Sequence, residues 1–189
     1  MKIEIHPLTP DRWSDFELLF GKNGAYDGCW CMWWRLTRSE YSAQRFEGNK
    51  KAIRQIVKKG PPPGLIAYIN GEPAGWCSVG PRENFPVLDR SLNLKRVDDR
   101  PVWSIVCLFV ARRFRRQGLV PHLLKGAIRY AKDHAANIVE AYPVDHKEVR
   151  MPDASLYTGV LPTFLTLGFE EVLRRSQRRP IVRFKIKKT

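Results

Sequence analysis

The stretch Arg115-Arg116-Gln117-Gly118-Leu119-Val120 follows a continuous apolar run, Val102 to Val110, and opens a helical pattern. The first amides of a helix have no internal partner and the helix dipole is positive there, so an anion such as a pyrophosphate can rest on them. Gly118 has no side chain to hold a phosphate away from the backbone. Arg112, Arg113, Arg115 and Arg116 add positive charge. A helix start with solvated arginines has the same ingredients, so the turn alone leaves both readings open.

Two further segments carry reactive side chains. In Ile138-Val139-Glu140-Ala141-Tyr142, alternation puts residues 138, 140 and 142 on one face of a strand. A carboxylate on a central strand is costly unless it is paired or used. Glu140 therefore either meets an arginine or does chemistry. The second segment is Cys29-Trp30-Cys31-Met32-Trp33-Trp34-Arg35. Its aromatics either seal a core under a long loop or form a flat binding wall with a cationic tip at Arg35. The spacing of Cys29, Cys31, Cys77 and Cys107 lacks the paired Cys-x-x-Cys arms of a structural zinc site, so we read ordinary thiols and no metal. Cys107, inside an apolar run, reads as a small filler.

The elements that must hold these residues are legible from periodicity. Lys2 to Leu8 alternates like a half-buried strand, and Thr9-Pro10-Asp11 opens a helix that carries Trp13, Phe16, Leu19 and Phe20. Ser39 to Lys59 reads as a second helix with a basic outer side. Leu65 to Ile69 and Pro73 to Val79 read as strands joined by a hairpin turn at Asn70-Gly71, both positions of which need positive φ. Residues 80–100 are polar and charged and read as a long loop. Val102 to Val110 suits a central strand buried on both faces. A helix from Leu119 to Ala135, a strand from Ile138 to Pro143 and a short helix from Ser155 to Leu167 follow. Phe169 to Arg174 and Ile181 to Ile186 complete a mixed α/β domain spanning residues 1–189.

Composition limits the class. At 189 residues and 43% apolar, with six Trp and nine Phe, the chain is expected to form one packed domain. No apolar run reaches the ~18 residues that span a bilayer, so no membrane association is expected and the reading is cytoplasmic. The formal charge of +14 attracts polyanions; RNA, a phosphorylated cofactor and an acidic substrate all qualify. The basic tail Arg174-Arg175-Ser176-Gln177-Arg178-Arg179 is more simply a solvated hairpin.

The strand ending in Val110, the excursion Ala111 to Phe114 and the turn Arg115 to Val120 together resemble the central motif of the GNAT superfamily of N-acetyltransferases, Gln/Arg-x-x-Gly-x-Gly/Ala. Val120 stands where that motif has a small residue. The segment Phe164-Leu165-Thr166-Leu167-Gly168-Phe169 is similar to the family's last helix and its Leu-Gly-Phe entry into the sixth strand. The element order matches as well.

The resemblance implies a single domain built on a mixed, mostly antiparallel seven-stranded sheet with flanking helices. It implies a splay between strands 4 and 5, where a pantetheine arm enters beside Leu108 and pairs with the backbone of Phe109 and Val110. The amides of Arg115, Arg116, Gln117, Gly118, Leu119 and Val120 are then expected to hold the pyrophosphate of acetyl-CoA. The acceptor is expected to be the primary amine of a small molecule or peptide, attacking directly in a ternary complex. An acetyltransferase-like protein that docks on RNA, with or without turnover, is the alternative. Such transfer needs a neutral amine and a stabilised oxyanion. Glu140 is the first candidate base and Tyr142 the supporting hydroxyl or acid. Phe164 occupies the position where many members carry a Tyr that protonates the leaving thiolate, and Tyr157 is the nearest candidate to lend a hydroxyl. Trp33, Trp34 and Arg35 fall in the region that lines the acceptor pocket in that family, which suits an aromatic or carboxylate-bearing substrate.

Overall fold

The computed structural model describes residues 1–146 and 152–187. It opens with strand β1 (Ile3–Pro7) and a single 3-10 turn at Pro10–Arg12, then helix α1 (Trp13–Phe20). The expected helix over 39–59 is two helices, α2 (Arg38–Ala43) and α3 (Glu47–Lys59). The chain breaks at Phe46, whose φ of 64° is left-handed. Thr37 starts α2 with a complete capping box to Glu40, a signal present in the sequence as Thr-x-x-Glu.

Strands β2 (Gly64–Ile69) and β3 (Glu72–Pro81) form the expected hairpin, with Asn70 and Gly71 at φ 50° and 84°. The stretch 80–100 is more ordered than a loop. A 3-10 turn at Arg82–Asn84 and helix α4 (Val87–Arg90) bring Phe85, Leu88 and Leu94 into the interior. Its Pro and Asp residues disguised three buried apolar anchors spaced too irregularly for a periodic pattern. Strand β4 (Trp103–Val110), helix α5 (Leu119–Asp133), strand β5 (Ile138–Ala141), helix α6 (Leu161–Thr166) and strands β6 (Glu170–Arg174) and β7 (Pro180–Lys185) complete the order.

The seven strands make one sheet in the order β1-β2-β3-β4-β5-β7-β6. Every pairing is antiparallel except β4 with β5. Alternation along β2 and β3 feeds two cores. Leu65, Ala67, Cys77 and Val79 face one side, where α5 lays down Leu119, Leu123, Leu124, Ala127 and Ala131. Ile66, Tyr68 and Trp76 face the other, against Trp13, Phe16 and Phe20 of α1 and Ile53 and Val57 of α3. Leu123 is fully buried, and truncation of such a leucine to alanine typically costs about 2–5 kcal/mol. The site therefore sits on a sheet clamped from both faces.

The parallel pair is short. Trp103, Ser104 and Ile105 pair with Val139, Glu140 and Ala141, and there the β4–β5 ladder ends while β4 runs on to Val110. This is the expected opening between the fourth and fifth strands. Among the described residues no helix is long and apolar enough to cross a membrane.

Candidate active site

The opening exposes one edge of β4. The amide of Leu108 is taken by the carbonyl of Tyr157 at 2.6 Å. Strand alternation gives Val110 the same direction as Leu108. Ala111 donates to Ala74 at the end of β3, so the intervening Phe109 amide faces β3 and not the gap. Of the two residues expected to pair with pantetheine, Val110 therefore presents its backbone to the opening and Phe109 presents only its side chain.

The gap continues as a cleft of about 590 Å³ that runs from Leu108 and Tyr157 to the start of α5. Leu108, Phe109, Val110, Arg115, Arg116, Gly118, Leu119 and Val120 all line it. Gln117 does not; its side-chain amide donates to the Arg113 carbonyl at 3.0 Å and braces the turn from behind. Arg115 Nε donates to the Val110 carbonyl at 3.1 Å, which ties the turn to the strand end. Arg116 and Gly118 are left-handed, at φ 62° and 74°, so the chain coils tightly before α5. Gly118 is the N-cap and no side chain caps the helix. A Cβ placed on Gly118 would meet open space. The leading amides of α5 thus face an open cleft lined by Arg115 and Arg116, which fits a pyrophosphate.

A second cleft, of about 280 Å³, adjoins the first across Ala25, Tyr26, Leu108, Phe109 and Tyr157. Its walls are aromatic, with Phe20, Trp33 and Tyr41 added to the shared rings, and it also shows Cys29, Cys31 and Cys107. Among the described residues Asp27, ion-paired to Arg45, is the one carboxylate on its wall, and no lysine or arginine lines it. Of the three residues expected at the acceptor pocket, Trp33 is on this wall. Trp34 is buried behind it with Phe85 and Tyr142. Arg35 is turned away, over the Phe85 ring and bonded to the Pro63 carbonyl at 3.2 Å. The sequence places these three side by side, but the tight turn at Met32–Arg35 sends them to different sides.

Tyr157 stands where the two clefts meet. Burial pushes its phenol up to about 12, partly offset by the neighbouring Arg179, so it keeps its proton at neutral pH. Phe164 is fully buried, and its ring packs on Gly159 and Phe169.

Glu140 and Tyr142 lie elsewhere. Glu140 is 1% exposed and accepts from Arg82 Nη1 at 2.9 Å, Tyr142 Oη at 2.7 Å and Arg183 Nε at 2.7 Å. Tyr142 also accepts from Arg82 at 2.7 Å and shares a hydrogen bond with Ser104 at 2.8 Å. Burial and the Glu140 charge hold its phenol well above the ordinary range. Asp89 and Asp98 close the network from the solvent side. Neither Glu140 nor Tyr142 lines either cleft. The two arginines were not singled out in the sequence, where thirty-three basic residues hide them.

A seven-stranded sheet split beside an uncapped, glycine-led helix defines the class. The family model described as the acetyltransferase (GNAT) family matches residues 30–152, and the chain belongs to that family. Solved structures agree in fold. The PaiA N-acetyltransferase from Thermoplasma acidophilum, in complex with coenzyme A, aligns with a TM-score of 0.55 at 12% identity, over 98% of this chain and 100% of its own. A GNAT-family acetyltransferase from Streptococcus agalactiae 2603 gives 0.57 at 15% identity, over 99% and 96%. One from Listeria monocytogenes 4b F2365 gives 0.58 at 10% identity, over 97% and 95%. No curated protein matches the chain.

Proposed function

We propose that the protein transfers an acetyl group from acetyl-CoA to a primary amine of a small molecule or peptide, by direct attack in a ternary complex. The observation that carries this reading is the uncapped start of α5 at the mouth of the split sheet, with open space beside Gly118. The amides of Leu119 and Val120, with Arg115 and Arg116, hold the pyrophosphate. The Val110 edge aligns the pantetheine arm, and the thioester reaches the junction of the two clefts near Leu108 and Tyr157.

The amine enters from the smaller cleft. Its aromatic walls, with Asp27 the one charged residue among the described residues that line it, favour an ammonium group over a carboxylate even in a chain of +14 charge. Burial of both partners between aromatic rings excludes water that would hydrolyse the thioester. Tyr157 is placed to give a proton to the departing sulfur, in the role for which Phe164 has no hydroxyl. Glu140 and Tyr142 hold the sheet together on the closed side of the split.

Calorimetric titration with acetyl-CoA, followed by thiol release with a panel of primary amines and of carboxylate-bearing amino acids, tests the reading. Saturable binding and thiol release with the cationic amines are expected. No binding of the nucleotide thioester, or no thiol release with any amine, overturns it.

A further inference from the structure

Four cysteines sit in the protein, and three of them converge on the wall of the smaller cleft. Cys31 is unlike the others. The Trp76 indole N–H donates to its sulfur at 3.2 Å, in a fully buried setting. Cys107 from β4 is the neighbouring thiol, and the Arg35 guanidinium lies close enough to act on it through its charge. Arg35 brings a positive charge into the interior with its Nε unpartnered, which needs a compensating anion nearby. Cys31 is the neighbour whose charge acts on it.

The backbone is also held in an uncommon state. Trp30 and Cys31 are consecutive left-handed residues, at φ 46° and 61°, a conformation that strains any residue but glycine. Strain of this kind persists where the surrounding structure over-determines it. Here it accompanies a Cys31 that lines the smaller cleft with its sulfur hydrogen-bonded by Trp76 of β3.

We propose that Cys31 is the proton acceptor for the incoming ammonium in the acetyl transfer, with Arg35 and Trp76 keeping its sulfur anionic. The inference rests on the acetyl-transfer reading above. The first proton leaves the ammonium for the Cys31 sulfur. The freed lone pair bonds to the thioester carbon as the carbon–sulfur bond breaks. The second nitrogen-bound proton ends on the departing thiolate, relayed by the Tyr157 hydroxyl. Cys31 then returns its proton to solvent, and atoms and charge balance.

The ionisable groups that face Cys31 agree with this assignment. Cys29 and Arg35 flank it on its own segment, Cys77 approaches from β3 and Cys107 from β4, while Tyr41 and Tyr157 line the same cleft. The neighbouring Cys107, with the Arg35 charge and the Trp76 N–H, holds the Cys31 thiol below the ordinary range. Burial pushes the Cys29 and Cys77 thiols up, and the bond to Cys31 with burial does the same to Cys107. Of the four thiols Cys31 is the one drawn toward its anion, with an arginine behind it and the cleft in front.

The test uses the full chain, as wild type and as Cys31→Ser and Cys31→Ala. Alkylation of Cys31 by iodoacetamide, followed by peptide mass spectrometry, should inflect well below the ~8.5 of a free thiol. An inflection at 8.5 or above overturns the proposal, whatever the enzyme's activity. With an active amine, both variants should lose about 10²-fold or more in kcat, the usual size of general-base loss, with acetyl-CoA affinity unchanged. The acidic limb of the wild-type kcat/KM profile should vanish in the serine variant. Unchanged kcat overturns the proposal. So does an acetyl group trapped on Cys31 after incubation with acetyl-CoA alone, which makes the sulfur a nucleophile. Failure of the wild type to bind acetyl-CoA sinks the parent reading instead, and the alkylation profile still reports on the thiolate.

Discussion

Arg183 Nε donates to Glu140 Oε2 at 2.7 Å, and the two residues face each other in the β5–β7 register. A charged pair thus sits inside the sheet beside the split, with Arg82 completing it from the 3-10 turn at Arg82–Asn84. Removing one partner of such a buried set strands the others, at a typical cost of about 3–5 kcal/mol. Glu140→Gln and Glu140→Ala should therefore unfold at clearly lower urea midpoints. Residual folded protein should keep acetyl-CoA affinity and near-normal kcat. A variant of wild-type stability with a collapsed kcat would return Glu140 to the chemistry.

The solvent end of that network predicts the acid response. Hydrogen bonds from Arg183 and then Arg100 hold the Asp98 carboxyl well below the usual carboxylate range. A group whose folded pKa is depressed adds stability above its unfolded value, ~3.9 for Asp, and that stability is lost as pH falls through the folded value. Asp98→Asn should remove part of the stability at pH 7 and flatten the decline below pH 4. Chemical denaturation at pH 7, 5 and 3 measures both. Parallel curves for variant and wild type would show that Asp98 adds nothing.

Gly118 carries two separable demands. Its left-handed φ of 74° costs an L-residue roughly 1–2 kcal/mol, while a Cβ there meets no protein atom. Gly118→Ala should lower the unfolding free energy of the free protein by about 1 kcal/mol. The open space beside Gly118 is where a phosphate would lie, so acetyl-CoA affinity should fall by more than stability does, by tenfold or more. Equal acetyl-CoA affinity in the two proteins, by calorimetry, would move the phosphate seat away from this turn.

Local pattern made the scaffold legible. Asn70-Gly71, the alternation of β1 and the apolar run of β4 each state their own geometry, and the turn before α5 declares itself by charge and glycine. The site is less legible because its parts are non-local. Arg82 and Arg183 are ordinary arginines until β5 brings Glu140 between them. Cys31 and Cys107 are 76 positions apart in sequence and meet on one cleft wall only because the loop after α1 folds back over the sheet. Trp33, Trp34 and Arg35 suggest one wall because they are adjacent in sequence, while a turn of the chain separates them.

That separation gives a discriminating pair of variants. Trp33 lines the smaller cleft, edge-on to Tyr41 at 5.1 Å between centroids, with Arg38 over its ring. Trp34 is buried among Phe85, Leu88 and Tyr142. Trp33→Ala opens the cleft and removes a face that a cation can rest on, so KM for the amine should rise while stability changes modestly. An exposed cation–π contact is worth about 0.5–1 kcal/mol and a desolvated one about 2, which corresponds to a rise of roughly two- to thirtyfold. Trp34→Ala empties a packed site and should cost about 3–5 kcal/mol of stability. At temperatures where that variant stays folded, its KM for the amine should stay near the wild-type value. A rise in KM confined to Trp34→Ala would place the acceptor on the other side of the tryptophan pair, and the smaller cleft would lose its substrate.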